Sequence, residues 1–172
     1  MSATRTNDPP CTVRAAGEGK KAPGTPLTIL IDTREQTPLS MPRGFLSERT
    51  KLNTGDYSIK GFERSFAVER KSLQDLVQTI IHERERFEYE LLRLMQYQFK
   101  RVLVEASYDA VAEVESYDFC LVNPKSIVAS VNAFEVRYGV PFIFAGTRLK
   151  ASKMLCNWAT FFVRESIKPK GW

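Results

Sequence analysis

The apolar positions change period several times along the chain, and each change marks an element. "LTILID" (residues 27–32) is a short apolar run of β type ending in Asp32. "DYSIK" (56–60) and "SFAVER" (65–70) read as two strands flanking a Gly-containing turn, hence a hairpin. From Ser72 the spacing becomes helical through Leu73, Leu76, Val77, Ile80 and Ile81. A second helical stretch runs from about Glu83 to Gln98 with Phe87, Leu91, Leu94 and Met95 on one side. "RVLVEAS" (101–107) is the next buried strand. A helix over about 124–138, a strand "VPFIFA" (140–145) and a last helix over about 150–164 complete the pattern. Strands alternating with helices predict the α/β class: one domain, with a central mixed sheet covered by helices on both faces.

Residues 1–26 are rich in Pro, Gly, Ala and Thr and have no periodicity, so they are expected to form a flexible tail ahead of a domain spanning 27–172. No apolar run reaches the roughly 18 residues of a membrane span, and the N-terminus lacks the apolar core of a secretory signal. The expected site of action is intracellular: cytoplasmic for a prokaryotic or phage protein, nuclear for a eukaryotic one. Cys11, Cys120 and Cys156 lie far apart, without zinc-site spacing, and read as reduced thiols. The net charge of +5 and pI near 9.2 fit a nucleic-acid ligand without requiring one, because the tail supplies four bases (Arg5, Arg14, Lys20, Lys21) against two acids (Asp8, Glu18).

The chemistry is concentrated at strand ends. Alternation along "SFAVERK" puts Ala67, Glu69 and Lys71 on one face of the strand and Phe66, Val68 and Arg70 on the other. A turn centred on Phe62 and Glu63 places Asp56 across from Glu69, with Gly55 supplying a permissive backbone just before it. Two facing carboxylates repel unless something positive lies between them, either Lys71 or a divalent metal. An acid, acid and lysine cluster suits metal-assisted phosphodiester hydrolysis, in which Mg²⁺ or Mn²⁺ takes oxygen ligands and offsets charge on the phosphate. A surface ion pair of Glu69 with Lys71 is the plainer alternative. Asp32 closes the first strand and is expected near Asp56. Glu105 closes "VLVE" and reads as structural, and Ser72 with Asp75 reads as a capping box.

Gly55-Asp56, the hairpin, Glu69-Arg70-Lys71 and Asp75 together resemble the G-D-x(n)-E-R-K-x-x-x-D signature of XPF-type structure-specific endonucleases, a family that includes the archaeal Hef nuclease. Ile31-Asp32-Thr33-Arg34-Glu35 is similar to their upstream V-D-x-R-E element, and the likeness extends from Leu27 to about Ile167. The resemblance implies a restriction-endonuclease-like fold and Mg²⁺- or Mn²⁺-dependent cleavage of DNA at flaps, forks or other branches, in repair, recombination or replication. It implies Asp56 and Glu69 as metal ligands, Asp32 as a further ligand or a supporting acid, and Lys71 as water-activating base or stabiliser. Arg70 is expected to anchor the motif by ion pairing or to contact a phosphate, and Arg34 is carried over as a DNA-contact candidate.

Members of the family usually carry a helix-hairpin-helix module after the nuclease. This chain ends soon after the nuclease-like part, so self-association as a homodimer, or a partner protein, is expected to support DNA binding. The helix "MLCNWATFFV" (154–163) is either that contact surface or ordinary core, since Leu155, Trp158, Ala159 and Phe162 recur at core-facing spacing. In the charged segment 82–101, Arg84, Arg86, Arg93, Lys100 and Arg101 either track a DNA backbone or form a solvated helix face with local ion pairs. A catalytically silent module that binds DNA or a partner is the rival reading, against which the retained acids and lysine argue. A third is a purely structural or regulatory interaction protein. His82, the only histidine, has no supporting surroundings for acid–base work, and no Gly-rich loop for phosphates is present.

Overall fold

The computed structural model describes residues 26–112 and 122–168. The segment expected as a tail lies outside these, apart from Pro26, as do Cys11 and Cys120. The described chain forms a six-stranded sheet in the order β2-β1-β3-β4-β5-β6. The strands are β1 (Leu27–Asp32), β2 (Phe45–Thr50), β3 (Tyr57–Ile59), β4 (Phe66–Lys71), β5 (Phe99–Val104) and β6 (Phe142–Phe144). The helices are α1 (Leu73–His82), α2 (Arg84–Leu94), α3 (Tyr108–Ala112), α4 (Pro124–Tyr138) and α5 (Arg148–Ser166). The sheet is mixed: β1 runs antiparallel to β3 and β3 antiparallel to β4, while β2 is parallel to β1, β5 to β4 and β6 to β5.

Alternation in β4 sorts the core into two halves. Ala67, with Val102 and Val104 of β5, joins a cluster built from α1, α2 and α4 through Leu76, Phe87, Leu91, Ile127 and Phe134. Phe66 and Val68, with Ile29, Ile31, Tyr57 and Leu103, pack on the opposite face against Leu155, Cys156 and Ala159 of α5. Helices therefore cover both faces, as the alternation of elements requires. Leu155, Cys156 and Ala159 are buried and Trp158 and Phe162 pack against this second cluster, so the core-facing spacing of "MLCNWATFFV" is met, while Phe161 on the same helix is 55% exposed. No helix among the described residues is long and apolar enough to cross a membrane.

Two elements are not visible in the hydrophobic pattern. β2 reads "FLSERT", with its four central residues exposed, because it is an edge strand whose ladder partner is β1 alone. The five-residue α3 is too short to develop a period.

Candidate active site

Tyr57 pairs with Val68 in the β3–β4 hairpin, so the next position outward brings Asp56 across from Glu69, the register the turn predicted. Backbone bonds continue the ladder past β3: Asp56 N donates to the Val68 carbonyl (2.9 Å), and Asp32 N donates to the Asp56 carbonyl (2.8 Å). Parity then puts Asp56, Glu69 and Lys71 on the α2 side of the sheet. Gly55 makes this close approach possible. Its φ is +75°, and a Cβ there would lie 3.0 Å from the Val68 carbonyl oxygen, against backbone that cannot yield. Gly55→Ala is expected to cost about 1–3 kcal/mol in chemical denaturation, since strain and contact act together and shift Asp56.

Glu69 and Lys71 are 7% and 8% exposed, and Lys71 Nζ donates to Glu69 Oε1 at 2.8 Å. This is a buried pair, whose cost of desolvation a surface pair would not bear. The ammonium also lies 5.1 Å from the centre of the Phe87 ring. Burial works against the Lys71 charge, but Glu69, Glu90 and Asp56 around it more than offset that and hold its pKa above the ordinary value. Asp56 shows the opposite strain. Burial, then repulsion from Glu69, pushes its pKa up to about 8, although its Oδ2 accepts from Arg70 N at 2.8 Å. Two acids face each other there with one lysine bonded to Glu69, a donor set short of positive charge and suited to a hard divalent cation.

Arg70 points to the other face, as strand alternation requires, and anchors rather than reaches into solvent. Its Nε and Nη2 fork onto both Glu105 oxygens (2.7 and 3.1 Å), and Nη1 donates to Glu35 Oε2 (3.2 Å) and Thr37 Oγ1 (3.1 Å). Arg148, at the start of α5, also reaches Glu105 (3.3 Å) and donates to the carbonyls of Thr37 and Pro38. The end of β4, the end of β5 and the loop after β1 are thereby tied at one point. Glu105 is structural, as its strand-end setting suggested.

Asp32, carried over as a further ligand or a supporting acid, has its carboxylate engaged by neighbouring donors. It neighbours Asp56 through the backbone, but its carboxylate accepts from Leu52 N (2.6 Å), Arg34 N (2.8 Å) and the Arg34 side chain (Nε, 2.6 Å; Nη2, 3.2 Å). Burial raises its pKa, and these bonds outweigh burial and bring it below the usual carboxylate value. Among the described residues no three acidic, histidine or cysteine side chains converge as a metal cluster. The physical reason is local: amides at both ends of the 33–52 excursion point inward at the strand end, and Asp32 satisfies them. Its effect is to hold Arg34, 67% exposed, at the edge of the site.

The site opens into a cleft of about 820 Å³ bordered by Arg34, Asp56, Glu69, Lys71, Arg86 and Arg93. Of the bases proposed from the charged segment, Arg86 faces the cleft, with a bond to Glu83 (2.8 Å), and so does Arg93, bonded to Thr54 Oγ1 (3.3 Å). Arg84 does not line it. It stacks over Phe134 (4.6 Å) and donates to Ser130, contacts that fix α2 against α4, and it pairs with Glu88 one turn along its own helix. Lys100 donates to the carbonyls of Met95 and Tyr97, and Arg101 lies over the Phe99 ring. Asp75 lines the cleft and also forms the predicted capping box with Ser72. His82 lies outside the cleft.

Glu90, on α2, is the acid that sequence reasoning missed. It lines the cleft, and burial, then repulsion from Glu69, raises its pKa. Only its spacing from Arg86 and Arg93, four residues after one and three before the other, could have set it beside them on one helix face.

No curated protein sequence matches the chain. Among solved structures, XPF from Aeropyrum pernix superposes with a TM-score of 0.63 at 20% identity, over 80% of this chain and 65% of that one. XPF from Aeropyrum pernix in complex with DNA gives a TM-score of 0.62 at 18% identity, over 84% of this chain and 68% of that one. The likeness fixes the fold as that of the XPF nuclease domain, and the chain spans about two-thirds of the length of those relatives. A family model described as the ERCC4 domain matches residues 31–158, from the end of β1 into α5 and across the whole cleft, and the chain therefore belongs to the ERCC4 domain family.

Proposed function

We propose that this domain is a divalent-metal-dependent endonuclease that hydrolyses phosphodiester bonds in DNA, at branched, flap or fork structures. The observation that carries the reading is the convergence of Asp56 and Glu69 on one face of the hairpin, with the buried Lys71 ammonium bonded to Glu69. Membership of the ERCC4 family and the likeness to an XPF structure solved with DNA support it. Asp56 and Glu69 would hold Mg²⁺ or Mn²⁺, completed by waters and phosphate oxygens. The ion would supply Lewis-acid stabilisation of the phosphate and an activated water.

The chain's own groups divide the remaining work. Lys71, whose acidic neighbours hold its pKa above the ordinary value, would steady negative charge on the phosphate. Arg34, Arg86 and Arg93 border the cleft as backbone contacts, with Arg34 set by Asp32. Arg70 keeps the strand end and the Glu35 loop in place. A homodimer or a partner protein belongs to the same proposal, as a source of further DNA contacts.

The test is a panel of linear, forked, flapped and nicked DNA incubated with Mg²⁺ or Mn²⁺. The expected result is cutting of branched substrates by the parent and none by Glu69→Ala, with EDTA abolishing it. Intact DNA across the panel, or equal cutting by Glu69→Ala, overturns the reading. The catalytically silent alternative would show as metal-independent binding of the same branched DNA without cleavage.

A further inference from the structure

Five acids line the cleft, and four are accounted for. Glu35 is committed to Arg70, Asp75 to the cap of α1, and Asp56 and Glu69 to the cation site. Glu90 is left, and its surroundings give it a task that rests on the nuclease reading.

Lys71 Nζ touches one carboxylate directly, Glu69, and sits over Phe87. Phe87 and Glu90 are three residues apart on α2 and so share the side of the helix that lies over the end of β4. The Lys71 charge is attracted by Glu69, Glu90 and Asp56, and Glu90 in turn feels Glu69, Lys71, Arg86 and Arg93. Lys71 takes Oε1 of Glu69, and a divalent ion on the same carboxylate would compete with the ammonium for its single negative charge. With a divalent ion held by Glu69, the ammonium would lose much of its counter-charge in a place 8% exposed, where an uncompensated charge is costly. Repulsion between Glu69 and Glu90 would then be smaller, because the ion would offset the Glu69 charge.

We infer that Glu90 is a positioning residue for Lys71, taking over the ammonium when Glu69 is drawn to the metal, so that the positive charge stays at the scissile phosphate. The alternative is that Glu90 is only a counter-charge for Arg86 and Arg93 on a helix face.

Glu90→Gln, which keeps shape and removes charge, separates the two. The expected result is a kcat about 10- to 100-fold lower with KM for DNA unchanged, the size typical of outer-shell partners. In a Lys71→Ala background the same change has no further effect. The thermal midpoint without metal is unchanged or higher, which excludes misfolding. A second readout needs no turnover: nitrogen-15 NMR of the lysine side-chain ammonium. The Lys71 signal persists on adding Mg²⁺ to the parent and is lost on adding Mg²⁺ to Glu90→Gln.

An unchanged kcat, a tighter KM alone, or an ammonium signal indifferent to Glu90 overturns the inference. Failure of the nuclease reading looks different. There the parent itself leaves DNA intact, and the NMR comparison still decides whether Glu90 holds the lysine.

Discussion

Arg70→Ala is expected to lower the folding free energy by about 3–5 kcal/mol in chemical denaturation, the range for breaking a buried ion pair from one side. The Arg70 side chain is 9% exposed, Glu35 7% and Glu105 10%, so removing the guanidinium leaves two carboxylates in poor contact with water. Arg148 remains near Glu105 at 3.3 Å but offers Glu35 nothing. The Thr33–Pro38 loop then loses its tie to β4, and Arg34 moves with it. Arg70→Lys should recover only part of the loss, since an ammonium cannot fork onto Glu105 while reaching Glu35 and Thr37. A loss under about 1 kcal/mol for the alanine variant would mean that water reaches the network and that Arg70 is not the anchor.

The Arg70 network also shows what a sequence can and cannot disclose. Strand alternation is enough to put Arg70 opposite Glu69 and Lys71, and the turn position is enough to put Asp56 across from Glu69, because both follow from a period of two. The identity of its partners is not legible. Glu35 and Thr37, in the loop after β1, and Glu105, at the end of β5, reach Arg70 from segments far apart in the chain, and no local pattern encodes such a meeting. Asp32 is the clearest case: its place at a strand end can be read, but not that the amides of Arg34 and Leu52 take up its oxygens.

β2 is invisible in the sequence because a polar edge strand carries no core-facing stripe. Arg84 and Arg86 look alike in the sequence, yet one stacks on Phe134 inside a helix contact and the other faces the cleft. Two residues apart on a helix, they point about 200° apart.

Asp56→Asn is expected to abolish cleavage and, at pH 8 to 9 without metal, to make the protein more stable than the parent by about 2–4 kcal/mol. The sign follows from the folded-state pKa of Asp56, near 8 against an ordinary 3.8. Between those values the folded state holds a proton that the unfolded state has released, so stability falls as pH rises through the window, and the full cost is present above about 8. Below about pH 4 both states are protonated and the two proteins should differ little. Asparagine has no such charge, and its carbonyl can still accept from Arg70 N, as Asp56 Oδ2 does at 2.8 Å.

Mg²⁺ should reverse the order at alkaline pH, because an ion held by Asp56 and Glu69 stabilises only the folded parent. Thermal melts of both proteins from about pH 4 to 9, with and without about 10 mM Mg²⁺, provide the check. A parent melt indifferent to Mg²⁺ together with an Asp56→Asn melt parallel to it at every pH would show that Asp56 bears no unusual charge stress. The charge tension on which the proposed cation site rests would then be absent.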